Sequence, residues 1–150
     1  MNNFLTDARV ALLAALQADA GIDALVRTWR EFGPGLRERM AIEPAYCPLL
    51  ALYPAGGEPF ARFNAASHIA QDLALRIVTA GQDASAAEEL VALVVARIDS
   101  CRDGLLGLAS EGLKDVRVLS IRWTPEPSPG GARVMWDVAL QVRILWIRFA

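Results

Sequence analysis

The stretch Ser67-His-Ile-Ala-Gln-Asp-Leu-Ala-Leu-Arg-Ile-Val-Thr79 decides the fold. Its apolar and polar side chains alternate, which is the period of a β-strand with one buried face. One face carries Ile69, Gln71, Leu73, Leu75 and Ile77, and the other carries His68, Ala70, Asp72, Ala74 and Arg76. We therefore predict a half-buried strand over Ser67 to Thr79, ended by Gly81.

The segment after this strand changes to a helical period. Ser85-Ala86-Ala87-Glu88 matches a capping box, in which the serine and glutamate side chains bond each other's backbone amides. An apolar stripe at helical spacing follows and consists of Ala87, Leu90, Val91, Val94, Ile98 and Cys101. We predict a helix that begins at this box and ends at Gly104.

The last forty residues have the pattern of a long hairpin. Val116 to Trp123 and Arg133 to Phe149 are β-rich runs, joined by the proline-rich segment Thr124 to Ala132. Three prolines stiffen that segment, so we expect a semi-rigid finger that projects from the sheet. The even positions Val134, Trp136, Val138, Leu140, Val142, Ile144 and Trp146 form one apolar face, which favours core packing for Trp136 and Trp146.

The N-terminal half is less regular. We predict a helix over Thr6 to Ala18, capped by Thr6 and stopped by Gly21, and a short second helix over Asp23 to Trp29, capped by Asp23. Dense glycine and proline between Gly33 and Gly57 leaves only Leu49 to Tyr53 as a strand. The whole predicts one α+β domain over residues 1–150, with a mainly antiparallel four-stranded sheet flanked by two main helices.

The composition limits the classes of function that this chain can have. The apolar fraction is 54% and the mean hydropathy is +0.30, more than a free-standing monomer usually needs, so we expect apolar subunit contacts. The formal net charge of -2 gives no overall positive field for nucleic acid. The apolar runs are too short for a membrane span, and the N-terminus lacks a basic signal segment, so we expect a soluble protein of the cytoplasm.

Residues for catalysis or metal binding are sparse. His68 is the only histidine, and Asp72 shares its strand face, but a surface or interface histidine is the simpler interpretation. Cys47 and Cys101 have no metal or redox spacing, and we expect reduced thiols, with a single disulfide as the alternative. No phosphate-binding loop is present, and Glu88 and Glu89 point in different directions on a helix. We therefore predict no enzyme activity, no cofactor and no metal.

A mixed-charge segment is the main candidate for a functional surface. It comprises Arg27, Arg30, Glu31, Arg37, Glu38, Arg39 and Glu43. A solvated loop is one interpretation, and a docking surface that sets the register between neighbouring copies is the other. Trp29 and Trp123 lie beside arginines, and these two residue types are enriched where interfaces hold their binding energy.

The order of elements resembles a known family. Leu12 to Asp19 followed by Ile22 to Val26 is similar to the opening helix and short second element of the tail terminator (tail completion) proteins of long-tailed bacteriophages. Leu49 to Tyr53 resembles their first strand. The segment His68 to Arg102 resembles their second strand and following helix, and Val116 to Phe149 resembles their closing pair of strands.

The resemblance implies a structural role in a virion. A tail terminator forms a hexameric ring that caps the tail tube, ends its polymerisation and provides the head-tail joining surface. The implied partners are sister copies, the major tail tube protein and a head-tail connector or neck protein, with DNA only as cargo through the lumen and no membrane. The implied location is the host cytoplasm during assembly, then the head-proximal end of the tail in the virion.

Two surfaces follow as hypotheses. We expect the helix Ala86 to Arg102 and the strand edges to form subunit contacts, and we expect the Arg27 to Glu43 loop and the Pro125 to Gly131 hairpin to reach neighbouring rings. The candidate interface residues are Arg27, Trp29, Arg30, Glu31, Arg37, Glu38, Arg39, Arg97, Arg102, Trp123, Glu126, Arg143 and Phe149. Deleting Glu126 to Gly130 is predicted to spare the monomer fold and impair docking. The alternative functions are another neck component, such as a connector or stopper, and a small dimeric ligand-sensing regulatory domain.

Overall fold

Five strands form one mixed sheet in a computed structural model that describes residues 3–31, 44–63, 66–81, 83–127 and 134–149. The strands are β1 (Thr28–Glu31), β2 (Leu49–Phe63), β3 (Ala66–Gly81), β4 (Leu113–Pro127) and β5 (Val134–Phe149). Their order across the sheet is β1-β2-β3-β5-β4. The strand predicted over Ser67 to Thr79 is the central strand β3, and it ends at Gly81 as expected.

The prediction of a mainly antiparallel four-stranded sheet needs one correction. A fifth strand, β1, pairs in parallel with β2, with Thr28 opposite Leu49 and Glu31 opposite Leu52. This segment overlaps the short helix predicted from Asp23. The backbone amides of Arg27 and Thr28 donate to the carbonyl of Pro48, which holds the chain extended beside β2.

Strand β2 is longer than the predicted Leu49 to Tyr53. It runs to Phe63 and contains Pro54 and Pro59, and its pairing with β3 shifts register after each proline. Proline cannot donate to a strand ladder, so it is tolerated at edges and bulges. Since β1 pairs with β2 only as far as Leu52, both prolines lie where β2 is the edge of the described sheet.

Two helices precede the sheet, α1 (Phe4–Gln17) and α2 (Ala20–Leu25). Asn3 caps α1, because its Oδ1 accepts from the amide of Leu5 at 3.0 Å, so the prediction of Thr6 as the cap is wrong. Asp19 caps α2 by accepting from the amide of Ile22 at 3.1 Å. Gly21 therefore lies inside α2 and does not stop a helix.

The long helix α3 (Ser85–Gly104) ends at Gly104 as predicted but begins without the capping box. Ala84 occupies the cap position and makes no side-chain cap bond. Instead, Asp83 Oδ1 accepts from the amide of Ser85 at 3.0 Å and from its hydroxyl at 2.6 Å. The hydroxyl bond from Ser85 is the main cause that lowers the pKa of Asp83.

The helices pack on one face of the sheet. Apolar residues of α1 (Ala8, Leu12, Leu16), α2 (Ile22) and α3 join the inward side chains of the strands in one core cluster. The predicted α3 stripe is buried from Ala87 to Ile98, while Cys101 is only half-buried. On β5 the even positions Val138, Leu140, Val142, Ile144 and Trp146 are buried, which confirms that face from Val138 onward, whereas Trp136 is only partly buried and Val134 is exposed. Both cysteines are free.

The closing hairpin is confirmed and is longer than predicted. β4 and β5 pair antiparallel from Leu113 opposite Trp146 to Pro127 opposite Val134. Thr124 to Pro127, predicted as the base of a loop, are therefore strand residues, and 128–133 lie outside the described residues. A deletion that begins at Glu126 would also remove strand pairing, so it does not test the tip alone. None of the helices described is long and apolar enough to span a bilayer.

Candidate functional site

The face of the sheet opposite the helices holds an ion-pair network. Asp72 on β3 accepts from Arg143 Nε at 2.8 Å and Arg143 Nη2 at 3.0 Å, and from Gln141 Nε2 at 3.0 Å. The bond from Arg143 is the main cause that lowers the pKa of Asp72, against the opposing effect of burial. Asp72 is thus held as a carboxylate by its neighbours on β5.

A second pair lies further along the same face. Arg76 Nε donates to both carboxylate oxygens of Asp137 at 2.9 Å, and its Nη2 also contacts Oδ2. Both side chains are largely buried. Next to this pair, Cys47, Leu49, Ala51, Val78 and Met135 form a small apolar cluster, and burial raises the pKa of the Cys47 thiol.

The outer edge of β4 is more exposed to solvent than the ion pairs of the helix-free face, and it carries more apolar side chains. Leu119 is 41% exposed, Ile121 41% and Trp123 39%, although they belong to a strand that begins in the core at Leu113 and Val116. The pairing with β5 shifts register between Val118 and Ser120, so Leu119 lies in a bulge. The basic residues Lys114, Arg117 and Arg122 are exposed on the same strand. The pairing with β5 places Arg117 and Arg122 on the helix-free face, and Ile121 and Trp123 on the helix side. Because these side chains flank the edge of the described sheet from both faces, we call Lys114, Arg117, Leu119, Ile121, Arg122 and Trp123 together the β4 edge surface.

Within the β4 edge surface, Trp123 lies nearest the end of the hairpin. Its ring meets that of Trp136 edge to face, with centroids 6.5 Å apart, a favourable geometry for aromatic pairs. The Nε1 of Trp136 is buried and has no hydrogen-bond partner in the described part of the chain. Val134, opposite the end of β4, is 39% exposed. Much of the exposed apolar area of the described residues therefore belongs to this hairpin.

The described beginning of the predicted mixed-charge segment, Arg27 to Glu31, lies at the opposite edge of the sheet. Arg27 precedes β1, Arg30 lies on it, and both are exposed. Trp29 is half-buried against the core. For Glu31 the structure describes only the backbone, at the end of β1, and Arg37, Glu38 and Arg39 lie outside the described residues. The interface hypothesis for this segment stays a prediction.

Three of the predicted arginines make contacts within their own chain. Arg97 Nε donates to the carbonyl of Ala15 at 2.9 Å and so connects α3 to α1. Arg102 Nε contacts Asp115 Oδ1 at 2.9 Å, and Arg143 binds Asp72 as described. Arg102 remains 50% exposed and Arg143 37%, so both still present part of the guanidinium to solvent.

Glu126 and Phe149 lie on paired strands, opposite Met135 and Ala66. Only their backbone is described. Together with Trp123 they belong to the β4–β5 hairpin, whereas Arg27, Trp29, Arg30 and Glu31 belong to the β1 edge. The structure therefore separates the predicted interface residues into groups at opposite edges of the sheet.

The β4 edge surface includes residues that the sequence prediction left out: Lys114, Arg117, Leu119, Arg122 and Ile121. A signal was present in the sequence. Val116 and Val118 are apolar at even positions, whereas Leu119, Ile121 and Trp123 are apolar at odd positions. Such a change of phase within a strand is what a bulge produces.

The described residues offer little that resembles a reactive centre. They contain no group of three His, Cys, Asp or Glu side chains that could hold a metal ion. A shallow groove of about 450 Å³ between α1 and α3 is lined by alanines, glycines, Arg97, Ser100, Leu106 and Cys101. A second groove of about 400 Å³ includes Lys114 and Arg148. Burial raises the pKa of the Cys101 thiol, which disfavours the nucleophilic thiolate.

Of the comparisons with known proteins, the one with solved structures found matches. No protein family model matches the sequence, and no curated protein matches it. Among solved structures, the fold is similar to that of a chain in the virion of a native gene transfer agent (GTA) particle, with a TM-score of 0.55 and 16% sequence identity. The match covers 91% of this chain and 93% of that chain. At this identity the comparison shows a shared fold over nearly the whole length of both chains.

Proposed function

We propose that this chain is a structural component of a phage-like virion, and that it works by protein–protein contact rather than by catalysis. The observation that supports this most directly is the shared fold with a virion chain, which extends over 91% of the residues. Because the match covers this much of the chain, the likeness involves the sheet, the helices and the closing hairpin together.

More specifically, we propose the role of a tail terminator. In this role, copies of the chain form a ring, hexameric in the family that the sequence resembles, on the last layer of the tail tube. The ring ends tube polymerisation in the host cytoplasm and then offers a surface to the head connector. The chain has a suitable surface, because the β4 edge surface presents exposed apolar and basic side chains at the edge of the described sheet. A heterologous contact of this kind closes into a ring when its rotation permits.

The ion pairs of the sheet support a structural role for the helix-free face. Asp72 and Asp137 are both engaged by arginines of their own chain across the β3–β5 pair, and opposite charges on neighbouring strands favour the register that brings them together. In this proposal they hold β3 and β5 in register, so that the hairpin edge keeps its position when a neighbour binds.

Tube length is the test of the terminator role. Purified major tail protein would be allowed to polymerise with and without this protein, and tube lengths would be measured by negative-stain electron microscopy. A terminator shortens the tubes and appears as a ring of density at one end. In the particle itself, removal of its gene should give overlong tails without heads.

Other outcomes point to other roles. Tails of normal length that fail to join heads would indicate a connector or stopper, the neck components that share this assembly chemistry. A dimer whose melting temperature rises with a metabolite and that ignores tail tubes would contradict the virion role and favour a ligand-sensing domain. Turnover of a substrate by the purified chain would contradict the absence of catalysis.

A further inference from the structure

The β4 edge surface carries positive charge as well as apolar side chains. In the described part of β4, the exposed charged side chains are Lys114, Arg117 and Arg122, all basic. The one acid between them, Asp115, is only 16% exposed and is engaged by Arg102 and Arg117. An exposed edge strand with apolar side chains is a surface that proteins normally cover.

The outer side of α3 carries negative charge. Its exposed acids are Glu88 and Glu89 in the first half and Asp99 and Asp103 in the second, with the exposed alanines Ala92 and Ala96 between them. The exposed base on this helix, Arg102, is engaged by Asp115. We call Glu88, Glu89, Ala92, Ala96, Asp99 and Asp103 the α3 outer stripe.

The two surfaces have similar lengths. From Glu89 to Asp103 the helix rises about 21 Å at about 1.5 Å per residue. From Lys114 to Arg122 an ideal strand would span about 26 Å at about 3.3 Å per residue, and two register shifts in β4 shorten this. A helix laid against the edge meets side chains from both faces of β4. Lys114 and Arg122 are therefore spaced to meet the acidic groups near the ends of the stripe, with Leu119 and Ile121 between them near the alanines.

We propose that the β4 edge surface binds the α3 outer stripe of a second copy of this chain. A second copy fits because the two surfaces are complementary in charge and lie on the same molecule. Lys114 and Arg122 are exposed bases on the edge, and the exposed side chains of the stripe are acids and alanines. A helix laid along the edge covers the apolar side chains and the open strand, and paired charges set the register. This inference rests on the proposed self-assembling role and names the surfaces that carry it out.

Charge reversal on each surface tests the pairing. The edge variant has Lys114→Glu and Arg122→Glu, and the stripe variant has Glu89→Lys and Asp103→Lys. Arg117 is left unchanged because it contacts Asp115. Sedimentation velocity over a concentration series should show that each variant alone associates at least tenfold more weakly than the wild-type chain, while circular dichroism shows the same fold.

Mixing the two variants is the specific measurement. In an equimolar mixture, the reversed edge of one variant faces the reversed stripe of the other, and the native edge faces the native stripe. Association should therefore return to within about threefold of the wild-type value. A contact of the β4 edge with any other surface would not be rescued by changes on α3.

A matched control uses α1, which belongs to neither surface. Thr6→Glu and Gln17→Glu, both at exposed positions of α1, also make the net charge more negative, and this variant should associate like the wild type. A loss in the control as large as that in the edge variant would mean that overall charge controls association, and would overturn the proposal.

The remaining outcomes separate this inference from the proposed function. If the wild-type chain associates or caps tubes and both variants do so equally well, the pairing is wrong and the terminator role is untouched. If the variants associate normally but lose binding to tail tubes, the β4 edge contacts the tube protein and the second-copy assignment is overturned. If the wild-type chain stays monomeric even on tubes, both the pairing and the ring fail together.

Discussion

Gln71 shows how a single buried polar residue joins three parts of the fold. It lies on the helix-side face of β3 and is 5% exposed. Its Oε1 accepts from Trp146 Nε1 at 2.9 Å, and its Nε2 donates to the carbonyl of Leu5 at 2.8 Å. Phe4 packs edge to face on Trp146, with ring centroids 4.9 Å apart. The start of α1 is thus attached to the centre of the sheet through this amide.

Replacing Gln71 with leucine should therefore destabilise the protein. The change leaves the buried indole N–H of Trp146 without its partner and removes the side-chain bond to the Leu5 carbonyl, at a cost of about 1–3 kcal/mol. Urea unfolding measures the free energy, and Gln17→Leu at the exposed end of α1 is the control. Equal midpoints for wild type and Gln71→Leu would show that water satisfies both groups.

Asp72 predicts a pH dependence of stability. Its pKa is lowered in the folded chain, mainly by the bond from Arg143, so its contribution is full above the unfolded pKa and is lost as pH falls through the folded value. We expect Asp72→Asn to be less stable than wild type at neutral pH, and the difference to shrink below about pH 4. Unfolding curves from pH 7 downward measure this, and a difference that stays constant to pH 3 contradicts it.

At the scale of elements, one glycine determines how β4 begins. Gly112 has φ +108°, and its carbonyl accepts from the amide of Ile147 at 2.8 Å. A Cβ at this position would overlap the carbonyl oxygen of Ile147. The turn after α3 can therefore pass directly against β5 only because residue 112 has no side chain.

Gly112→Ala should consequently cost about 2 kcal/mol or more, since it combines an unfavourable φ with a backbone clash. Gly104→Ala is a matched control, because a Cβ there meets nothing within 4 Å and alanine favours the helix end. Thermal unfolding of both variants is the measurement. Equal losses at the two positions would mean that the turn adjusts around the new methyl group.

The elements also show where local pattern suffices. Alternation over Ser67 to Thr79 and the helical stripe of α3 were visible because one side of each element is buried by the rest of the chain. The bulge at Leu119 leaves a change of phase in the sequence, but only the pairing of β4 with β5 places it. The predicted N-cap of α1, Thr6, lies three residues after the observed cap Asn3, and that of α3, Ser85, lies one residue after Ala84. Polar side chains near each helix start compete for the same amides.

At the scale of the whole molecule, part of the excess of apolar residues is exposed on the closing hairpin. The sequence is 54% apolar, and the exposed part of this includes Leu119, Ile121, Trp123 and Val134 on the hairpin. Composition alone predicted self-association without saying where. The sheet order places the hairpin edge and the β1 edge on opposite sides, so a copy has two different lateral surfaces to offer.

Association through opposite charges should weaken as salt rises. Raising NaCl from about 0.05 to 0.5 M shortens the screening length of the solution, so exposed charges attract each other more weakly. The wild-type association constant should therefore drop at least severalfold. The edge variant, which has lost the attraction, should show a weaker dependence or the reverse one. Sedimentation at both salt concentrations tests this, and a salt-independent wild type would indicate a purely apolar contact.

By itself, the sequence determined the α+β class, the central strand, the long helix and the closing hairpin, because burial on one side of an element leaves a period that can be read along the chain. It also indicated an excess of apolar surface. Only the tertiary structure decided the parallel β1 strand, the length of β2 and which residues form the exposed edge of β4. Strand neighbours and bulges arise from hydrogen bonds between distant backbone segments, and backbone groups are the same in every residue.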